Sequence, residues 1–242
     1  MIREPPDYYQ WYDDRFIPPP VNMENVDFDL FRTPRSIYLY LSEHMEGCED
    51  YLRRMSVMIW GAINRHVRHH AMIIGESGTG KTMLFRILKE AYPNTVIFDS
   101  SACSPQTYKG TSTLSDAFIN LDPTKPCFIC FDEFDKCLAK GDNGDLGFMM
   151  QNECLKLLEA DGPIYVGDER NRKMISDISN SNLFFAGAFS ALKKDRKSCL
   201  GFGTSATTSK DSPITKDDVI ENGILTNEFV GRLNGGIIQL PP

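Results

Sequence analysis

A glycine-rich segment over residues 75–82 carries the side chains best suited to hold a phosphate chain. It reads Gly75-Glu76-Ser77-Gly78-Thr79-Gly80-Lys81-Thr82 and lies between an apolar run, 71–74, and a helical pattern, 83–88. Glycines let the backbone curl so that successive N–H groups and a helix N-terminus face the phosphates. Lys81 can reach the outer phosphates, and the Thr82 hydroxyl can hold Mg²⁺. The segment predicts a site for ATP and Mg²⁺, and we include Met83 among its nucleotide-binding residues.

A pair of carboxylates follows a second apolar run, 51 residues after Lys81. Residues 127–131 have the composition of a buried strand, and Asp132 and Glu133 come directly after it. Carboxylates at the end of such a strand are costly unless they meet a cation and a water there. We expect Asp132 to hold Mg²⁺ and Glu133 to orient or deprotonate the attacking water. Alone, the pair is more typical of a turn or a helix start; its place after the phosphate-binding loop favours catalysis.

Helical and strand-like patterns alternate along the chain and must position these groups. The periodicity predicts helices over 36–44, 48–68 and 148–159, and strands over 71–74, 95–98, 127–131 and 182–187. Such alternation is typical of an α/β fold, with a mostly parallel sheet covered by helices on both faces. The nucleotide then lies at the carboxyl edge of the strands.

Composition limits the other possibilities. The chain has 242 residues, of which 41% are hydrophobic and 24% charged, enough for one sizeable core. Its net charge of −7 gives no general attraction for nucleic acid, although a basic stretch over 193–197 leaves a local contact open. We expect neither a membrane span nor a signal peptide. Seven scattered cysteines, an odd number, favour reduced thiols and a cytoplasmic location.

Two clusters of metal-binding residue types have simpler explanations. Cys127 and Cys130 lie three residues apart in a predicted strand, where their side chains diverge to opposite faces. His66, His69 and His70 have no partner carboxylate at a diagnostic spacing. We therefore expect packing or surface roles for both clusters.

The first 32 residues differ from the rest of the chain. They combine prolines, which prevent regular structure, with an aromatic content that disordered tails usually lack. We predict an extended arm over 1–32 that packs on its own domain or on a neighbouring subunit, followed by one ATPase domain over 33–242.

From Thr33 onward, the order of short motifs resembles the large ATPase domain of the ClpX family of AAA+ protein unfoldases. The motifs are Thr33-Pro34, Gly47-Cys48-Glu49, the phosphate-binding loop, Tyr108-Lys109-Gly110, the acidic segment 131–136, Leu155-Lys156-Leu157-Leu158-Glu159, residues 183–189 and Glu228-Phe229-Val230-Gly231-Arg232-Leu233. Each motif alone is weak, but their shared order is specific.

The resemblance implies roles that spacing alone does not provide. It makes Arg232 an arginine finger that reaches the γ-phosphate of a neighbouring subunit, which requires a ring of identical subunits, expected to be a hexamer. It also makes Ser190 the candidate for the polar residue called sensor 1.

Two further segments would contact other proteins if the resemblance holds. Tyr108-Lys109-Gly110 would form a pore loop that grips a polypeptide substrate through the tyrosine ring. Leu200-Gly201-Phe202 resembles the tripeptide with which ClpX docks onto the ClpP peptidase.

Departures from the family pattern keep two functions open. We expect neither the zinc-binding N-terminal domain nor the helical small domain, or lid, and Cys48 replaces the usual glutamine. The first function is an ATPase that unfolds or remodels proteins in a homo-oligomeric ring. The second is a nucleotide-dependent assembly or regulatory module without processive unfolding, such as a ClpX-like accessory protein of a phage or mobile element, or a DNA remodeller. The intact phosphate-binding loop, acidic pair, Arg232 and Tyr108 favour the first.

Overall fold

A computed structural model describes residues 21–104, 112–138, 145–167, 173–190, 192 and 214–241. The strands are β1 (His70–Ile74), β2 (Thr95–Asp99), β3 (Cys127–Asp132), β4 (Ile164–Val166), β5 (Lys173–Ile175), β6 (Ser181–Gly187) and β7 (Gly236–Gln239). Within these ranges, five parallel strands form one sheet in the order β2-β3-β6-β1-β7, and β4 and β5 form an antiparallel pair.

Helices cover the sheet. They are α1 (Pro34–Ser42), α2 (Glu49–Arg65), α3 (Met83–Ala91), α4 (Phe134–Leu138), α5 (Asp145–Glu159), α6 (Lys216–Glu221) and α7 (Asn227–Arg232). Short 3₁₀ helices lie at Ser100–Ala102 and Leu114–Phe118. The predicted α/β class, a parallel sheet flanked by helices, is confirmed.

Two helix ends differ from the sequence prediction for local reasons. Helix α1 begins at Pro34 rather than at Ser36, because the Thr33 hydroxyl accepts a hydrogen bond from the Ser36 N–H (3.1 Å) and proline suits the first helical turn. Helix α2 ends at Arg65 rather than at residue 68, because His66 adopts a left-handed conformation (φ 52°) that stops the helix.

Alternation along the strands divides the core into two apolar clusters. In β3, Cys127, Ile129 and Phe131 pack into one cluster, and Phe128 and Cys130 pack into the other. The two cysteines are thus fully buried on opposite faces of the sheet.

The described end of the predicted arm packs against α2. Val26 and Phe31 are buried in the same cluster as the apolar face of that helix. The Trp60 Nε1–H donates to the Arg32 carbonyl oxygen (3.0 Å), and the Asn64 Nδ2 donates to the Phe31 carbonyl oxygen (2.8 Å). Residues 1–20 lie outside the described ranges, and the boundary at 32/33 stays a prediction.

Other features of the described ranges bear on the remaining sequence hypotheses. No helix there is long and apolar enough to cross a membrane. No group of three His, Cys, Asp or Glu side chains in those ranges is placed to hold a metal ion. Of the three neighbouring histidines, His70 is buried at the start of β1, where its Nδ1 accepts a hydrogen bond from the Leu183 N–H (3.2 Å).

Candidate nucleotide site

The glycine-rich loop leaves the sheet at the carboxyl end of β1. Gly75 is tied to the neighbouring strand by a hydrogen bond from its N–H to the Gly187 carbonyl oxygen (3.2 Å). Gly78 and Gly80 have φ angles of 86° and 91°, in the left-handed region that favours glycine. A β-carbon on Gly75 would lie 2.6 Å from the Thr79 Oγ1. The backbone therefore curls tightly only because these positions carry no side chain.

Lys81 turns its ammonium group into this curl. Its Nζ donates to the carbonyl oxygens of Gly75 (2.8 Å) and Glu76 (2.7 Å). Burial lowers the pKa of Lys81, and the nearby Asp132 carboxylate opposes that shift. The cation is thus partly desolvated and held by neutral carbonyl groups, a position from which an anion would attract it strongly.

Two side chains at the start of α2 support the loop: Tyr51, in its first turn, and Cys48, the residue before the helix. The hydroxyl of Tyr51, which is buried, donates to the Lys81 carbonyl oxygen (2.8 Å). The Cys48 thiol donates to the Thr79 carbonyl oxygen (3.7 Å), and burial raises its pKa. Cys48 thus contacts the loop although it departs from the family's glutamine. No sequence pattern indicates the role of Tyr51, which lies on the apolar face of a helix outside any motif.

The acidic pair lies at the carboxyl end of β3, on the same edge of the sheet as the loop. Asp132 Oδ1 accepts a hydrogen bond from the Glu133 N–H (3.0 Å). Glu133 has a φ of 53°, a strained conformation for a residue with a side chain, and its Oε1 accepts from the Lys136 Nζ (2.6 Å). Burial raises the pKa of Asp132. A nearby cation would offset the cost of keeping this partly buried carboxylate charged.

Asp135 joins the ends of β3 and β6. Its Oδ2 accepts a hydrogen bond from the Phe189 N–H (3.1 Å), and a β-carbon on Gly187 would lie 2.6 Å from its Oδ1. Phe189 also has a positive φ, 45°. The next residue, Ser190, is exposed and does not line the cleft beside the loop. Its role as sensor 1 stays a prediction.

These elements enclose a cleft of about 350 Å³, a size typical of small-molecule sites. Its lining residues are Ser77, Gly78, Gly80, Lys81, Thr82, Met83, Arg86, Asp132, Glu133, Asp135, Lys136, Gly187 and Ala188. The fold thus brings the glycine-rich loop and the acidic pair together as expected. Arg86, Asp135 and Lys136 were not predicted to line it, although Asp135 and Lys136 belong to the acidic segment 131–136 and Arg86 lies one turn after Thr82.

The donor set of the cleft fits a magnesium nucleotide. Mg²⁺ prefers hard oxygen ligands such as the Thr82 hydroxyl and the Asp132 carboxylate, and usually binds together with substrate phosphates. The curl carries no side chain at its glycine positions and holds the Lys81 ammonium group, an arrangement that fits a phosphate group.

Arg232 lies at the opposite edge of the sheet. Two residues later, the Asn234 Oδ1 accepts a hydrogen bond from the N–H of His70, the first residue of β1 (2.8 Å), and the Gly235 N–H donates to the His70 carbonyl oxygen (2.8 Å). The phosphate-binding loop begins at Gly75, after the last residue of β1. At about 3.3 Å per residue, His70 and Gly75 are roughly 16 Å apart. Arg232 instead pairs with Glu159.

The residues predicted to contact other proteins lie outside the described ranges. They are Tyr108, Lys109 and Gly110 of the pore loop, and Leu200, Gly201 and Phe202 of the docking tripeptide. The basic stretch 193–197 lies outside them too.

The parallel sheet and the site at its carboxyl edge define a P-loop α/β domain. Residues 71–163, from β1 to the start of β4, match the family described as "ATPase family associated with various cellular activities (AAA)". The match includes both the glycine-rich loop and the acidic pair.

Curated relatives extend the similarity beyond that segment. Each of three bears the name "ATP-dependent Clp protease ATP-binding subunit ClpX". The protein of Bacteroides thetaiotaomicron is 26% identical over 190 residues, which cover 66% of this chain and 46% of the relative. Those of Bacteroides fragilis (25% over 240 residues) and Treponema denticola (23% over 242 residues) each cover 83% of this chain and 58% of the relative. The chain spans about half the length of these relatives.

Fold, sequence match and relatives together support a ClpX-like AAA+ ATPase that binds a nucleotide. The resemblance inferred from the order of motifs is thereby confirmed at the level of the ATPase domain.

Proposed function

We propose that this chain hydrolyses ATP in a ring of identical subunits and uses the energy to unfold or remodel proteins. One observation carries the proposal: the cleft with its two carboxylates lies at one edge of the sheet, and Arg232 lies at the other. A site divided in this way is completed when the amino edge of one copy faces the cleft of the next.

Within the cleft, the backbone and Lys81 would bind the phosphates. Lys81 now donates to two neutral carbonyl oxygens, and a charge-assisted hydrogen bond to a phosphate oxygen is stronger. Thr82 and Asp132 would hold Mg²⁺, which when bound neutralises charge on the phosphates. Met83, exposed at the edge of the cleft, offers an apolar contact for the base.

Glu133 is the candidate general base. It directly follows Asp132 at the end of β3, and its left-handed backbone turns the chain sharply there. Its pairing with Lys136 is solvent-exposed: 43% of the Glu133 side chain and 59% of the Lys136 side chain are accessible. Exposed pairs of this kind contribute at most about 1 kcal/mol, so the pair does not prevent Glu133 from accepting a proton from water.

Arg232 would act on the neighbouring subunit. About 16 Å of β1 separate its segment from the loop of its own cleft, a distance greater than an arginine side chain covers. A guanidinium group presents several donors in a plane, which suits the charge that spreads over a transferring phosphoryl group. The ClpX resemblance favours a hexamer for the ring.

The assignment of a polypeptide substrate and a peptidase partner rests on the resemblance and on the name of the relatives, which describes a subunit of a Clp protease. In this proposal, Tyr108, Lys109 and Gly110 contact the substrate in the pore, and Leu200, Gly201 and Phe202 dock onto a ClpP-type peptidase. Nucleic acid is not part of the proposal.

The decisive experiment is to mix two inactive variants. Arg232→Ala keeps an intact cleft but lacks the finger, and Lys81→Ala keeps the finger but should not bind nucleotide. Each alone should hydrolyse ATP at least about 100-fold more slowly than the wild type, since an arginine finger is worth 10³–10⁵ in rate. Mixed at equal concentration, they should regain a substantial part of the rate, which should also rise with protein concentration.

Arg53→Ala is the matched control, because Arg53 is an exposed arginine in α2 that contacts Glu49 and the Tyr38 ring, away from the cleft. It should keep the wild-type rate. A rate per subunit that does not depend on concentration, and is unchanged in Arg232→Ala, would contradict the ring and favour the alternative of a nucleotide-dependent regulatory module.

A further inference from the structure

Helix α7, which ends at Arg232, cannot fix its own direction. It has only six residues, far fewer than an isolated helix needs to be stable in water. The Thr226 hydroxyl caps its first turn by accepting from the Phe229 N–H (3.3 Å). The direction in which α7 presents its last residue must therefore come from tertiary contacts.

Gln151, in the middle of α5, supplies one of these contacts. Its side chain is buried, with 6% of the residue accessible. The Oε1 accepts a hydrogen bond from the Thr226 N–H (2.8 Å), and the Nε2 donates to the Ile224 carbonyl oxygen (3.2 Å). An amide accepts through its oxygen and donates through its nitrogen, so Gln151 holds the segment that enters α7 on both sides of Leu225.

Glu159, the last residue of the same helix, supplies the second contact. Its Oε1 accepts a hydrogen bond from Arg232 Nη2, while half of the arginine side chain remains accessible. An exposed pair contributes at most about 1 kcal/mol, too little to withhold the guanidinium from a phosphate. It does restrict a side chain that otherwise carries about 2 kcal/mol of rotamer entropy. The remaining guanidinium donors stay available.

We propose that Gln151 and Glu159 are positioning residues that aim Arg232 at the cleft of the neighbouring subunit. Gln151 fixes where α7 begins, and Glu159 orders the side chain at its end. Both belong to α5, so this one helix determines the direction in which Arg232 points. This inference rests on the proposed function, because it requires Arg232 to act on a second copy of the chain.

The test uses the mixed assay, in which donor and acceptor of the finger are different variants. The donor carries Lys81→Ala and the acceptor carries Arg232→Ala, so that only one kind of interface is active. Glu159→Gln or Gln151→Met introduced into the donor should lower kcat roughly 10-fold, because small misplacements of a catalytic group have effects of this size or larger. KM for ATP should not change. The same substitution introduced into the acceptor should leave kcat within about two-fold.

Controls separate positioning from loss of structure. Asn152→Ala, an exposed neighbour on α5, should have no effect in either subunit. Glu159→Asp in the donor should restore part of the rate that Glu159→Gln loses. Glu159 is exposed, so its variants test the inference even if Gln151→Met unfolds.

Three outcomes would overturn the inference: no loss of kcat in the donor, an equal loss in donor and acceptor, or a higher rate in Glu159→Gln, which would make the pair an inhibitory latch. If Arg232→Ala alone kept the wild-type rate, the proposed function itself would fail. That result is distinct from a positioning variant without effect in a system that still needs Arg232.

Discussion

The two edges of the same parallel sheet are built in opposite ways. At the carboxyl edge, residues with side chains adopt left-handed conformations at Glu133 and Phe189, and charged groups surround an open cleft. At the amino edge, side chains satisfy the backbone groups that the strands leave exposed. Left-handed residues also end the helices that lead to the amino edge, at His66 (φ 52°) and Ala160 (φ 51°). The edges therefore differ in the open, charged cleft at one and the saturated hydrogen bonding at the other, and not in backbone strain.

The amino edge shows how complete that saturation is. Asn234 accepts from the His70 N–H (2.8 Å) and donates to the Arg68 carbonyl oxygen (2.7 Å). The Arg68 guanidinium in turn donates to the carbonyl oxygens of Ser181 (3.2 Å) and Leu157 (3.0 Å). These contacts tie the first residues of β1 and β6 to the end of α5. We call this hydrogen-bonded edge, with the helix α7 that presents Arg232, the platform.

Aromatic side chains connect the platform to the cleft. Phe134 directly follows Glu133 and lies 5.9 Å, between ring centroids, from Phe229 of α7. Both rings contact Phe185 of β6, at 4.7 and 5.1 Å. Such pairs contribute about 0.5–1.5 kcal/mol beyond their buried area. The helix that carries Arg232 and the turn that carries Glu133 thus share one packed core.

The sharpest functional contrast between the edges comes from removing the candidate base. Glu133→Gln keeps the size of the side chain but cannot accept the proton of the attacking water. We expect the ATPase rate to fall roughly 10²–10⁴-fold. Binding of a fluorescent ATP analogue should remain within about two-fold. The exposed Glu90 of α3, changed to Gln, is the control and should keep the full rate. An unchanged rate in Glu133→Gln would remove its assigned role.

A stability comparison tests whether the carboxyl edge is as tightly constrained as its geometry indicates. Gly187→Ala places a β-carbon 2.6 Å from the Asp135 Oδ1 and 2.8 Å from the Phe189 ring. We expect the free energy of unfolding to fall by about 1–3 kcal/mol, as in other overpacked sites. Urea denaturation followed by circular dichroism measures the change.

Gly231 is the matched position on the platform. A β-carbon there would meet no atom within 4 Å, and the residue is helical. Gly231→Ala should therefore stabilise the protein by about 0.5–1 kcal/mol. Equal destabilisation by both alanines would show that the close contact at Gly187 is not the cause.

A last expected effect concerns the pH dependence of the amino edge. Burial, with the charges of Arg68 and His69, lowers the pKa of His70 from 6.5 to about 3. Below pH 6.5 the unfolded chain binds a proton that the folded chain does not, so stability falls as the pH falls toward 3. The slope from this residue is at most roughly 1.4 kcal/mol per pH unit.

His70→Gln should show a shallower loss of stability between pH 6 and 4 than the wild type in urea titrations. The exposed His44, changed to Gln, is the control and should follow the wild type. If the His70 variant had the wild-type slope, the buried histidine would not be the source of the pH dependence.

Much of the site could be predicted from the sequence because its chemical groups lie in short segments of neighbouring residues. The glycines, Lys81 and Thr82 are contiguous, and Asp132 and Glu133 end a recognisable apolar strand. The supporting side chains could not be predicted in this way. Tyr51, Cys48 and Gln151 act on partners 30, 31 and 75 residues away, and nothing in their local sequence indicates those partners. Helix ends were missed where one residue decided them, as His66 does.

By itself, the sequence determined the α/β class, the phosphate-binding loop and the acidic pair, because periodicity and short motifs depend on neighbours along the chain. The tertiary structure alone decided that Arg232 lies at the opposite edge from its own cleft, since this position depends on β7 pairing parallel to β1. It also decided that α5 holds α7. Hydrogen bonds between distant segments follow from strand order and packing, and no local sequence pattern indicates them.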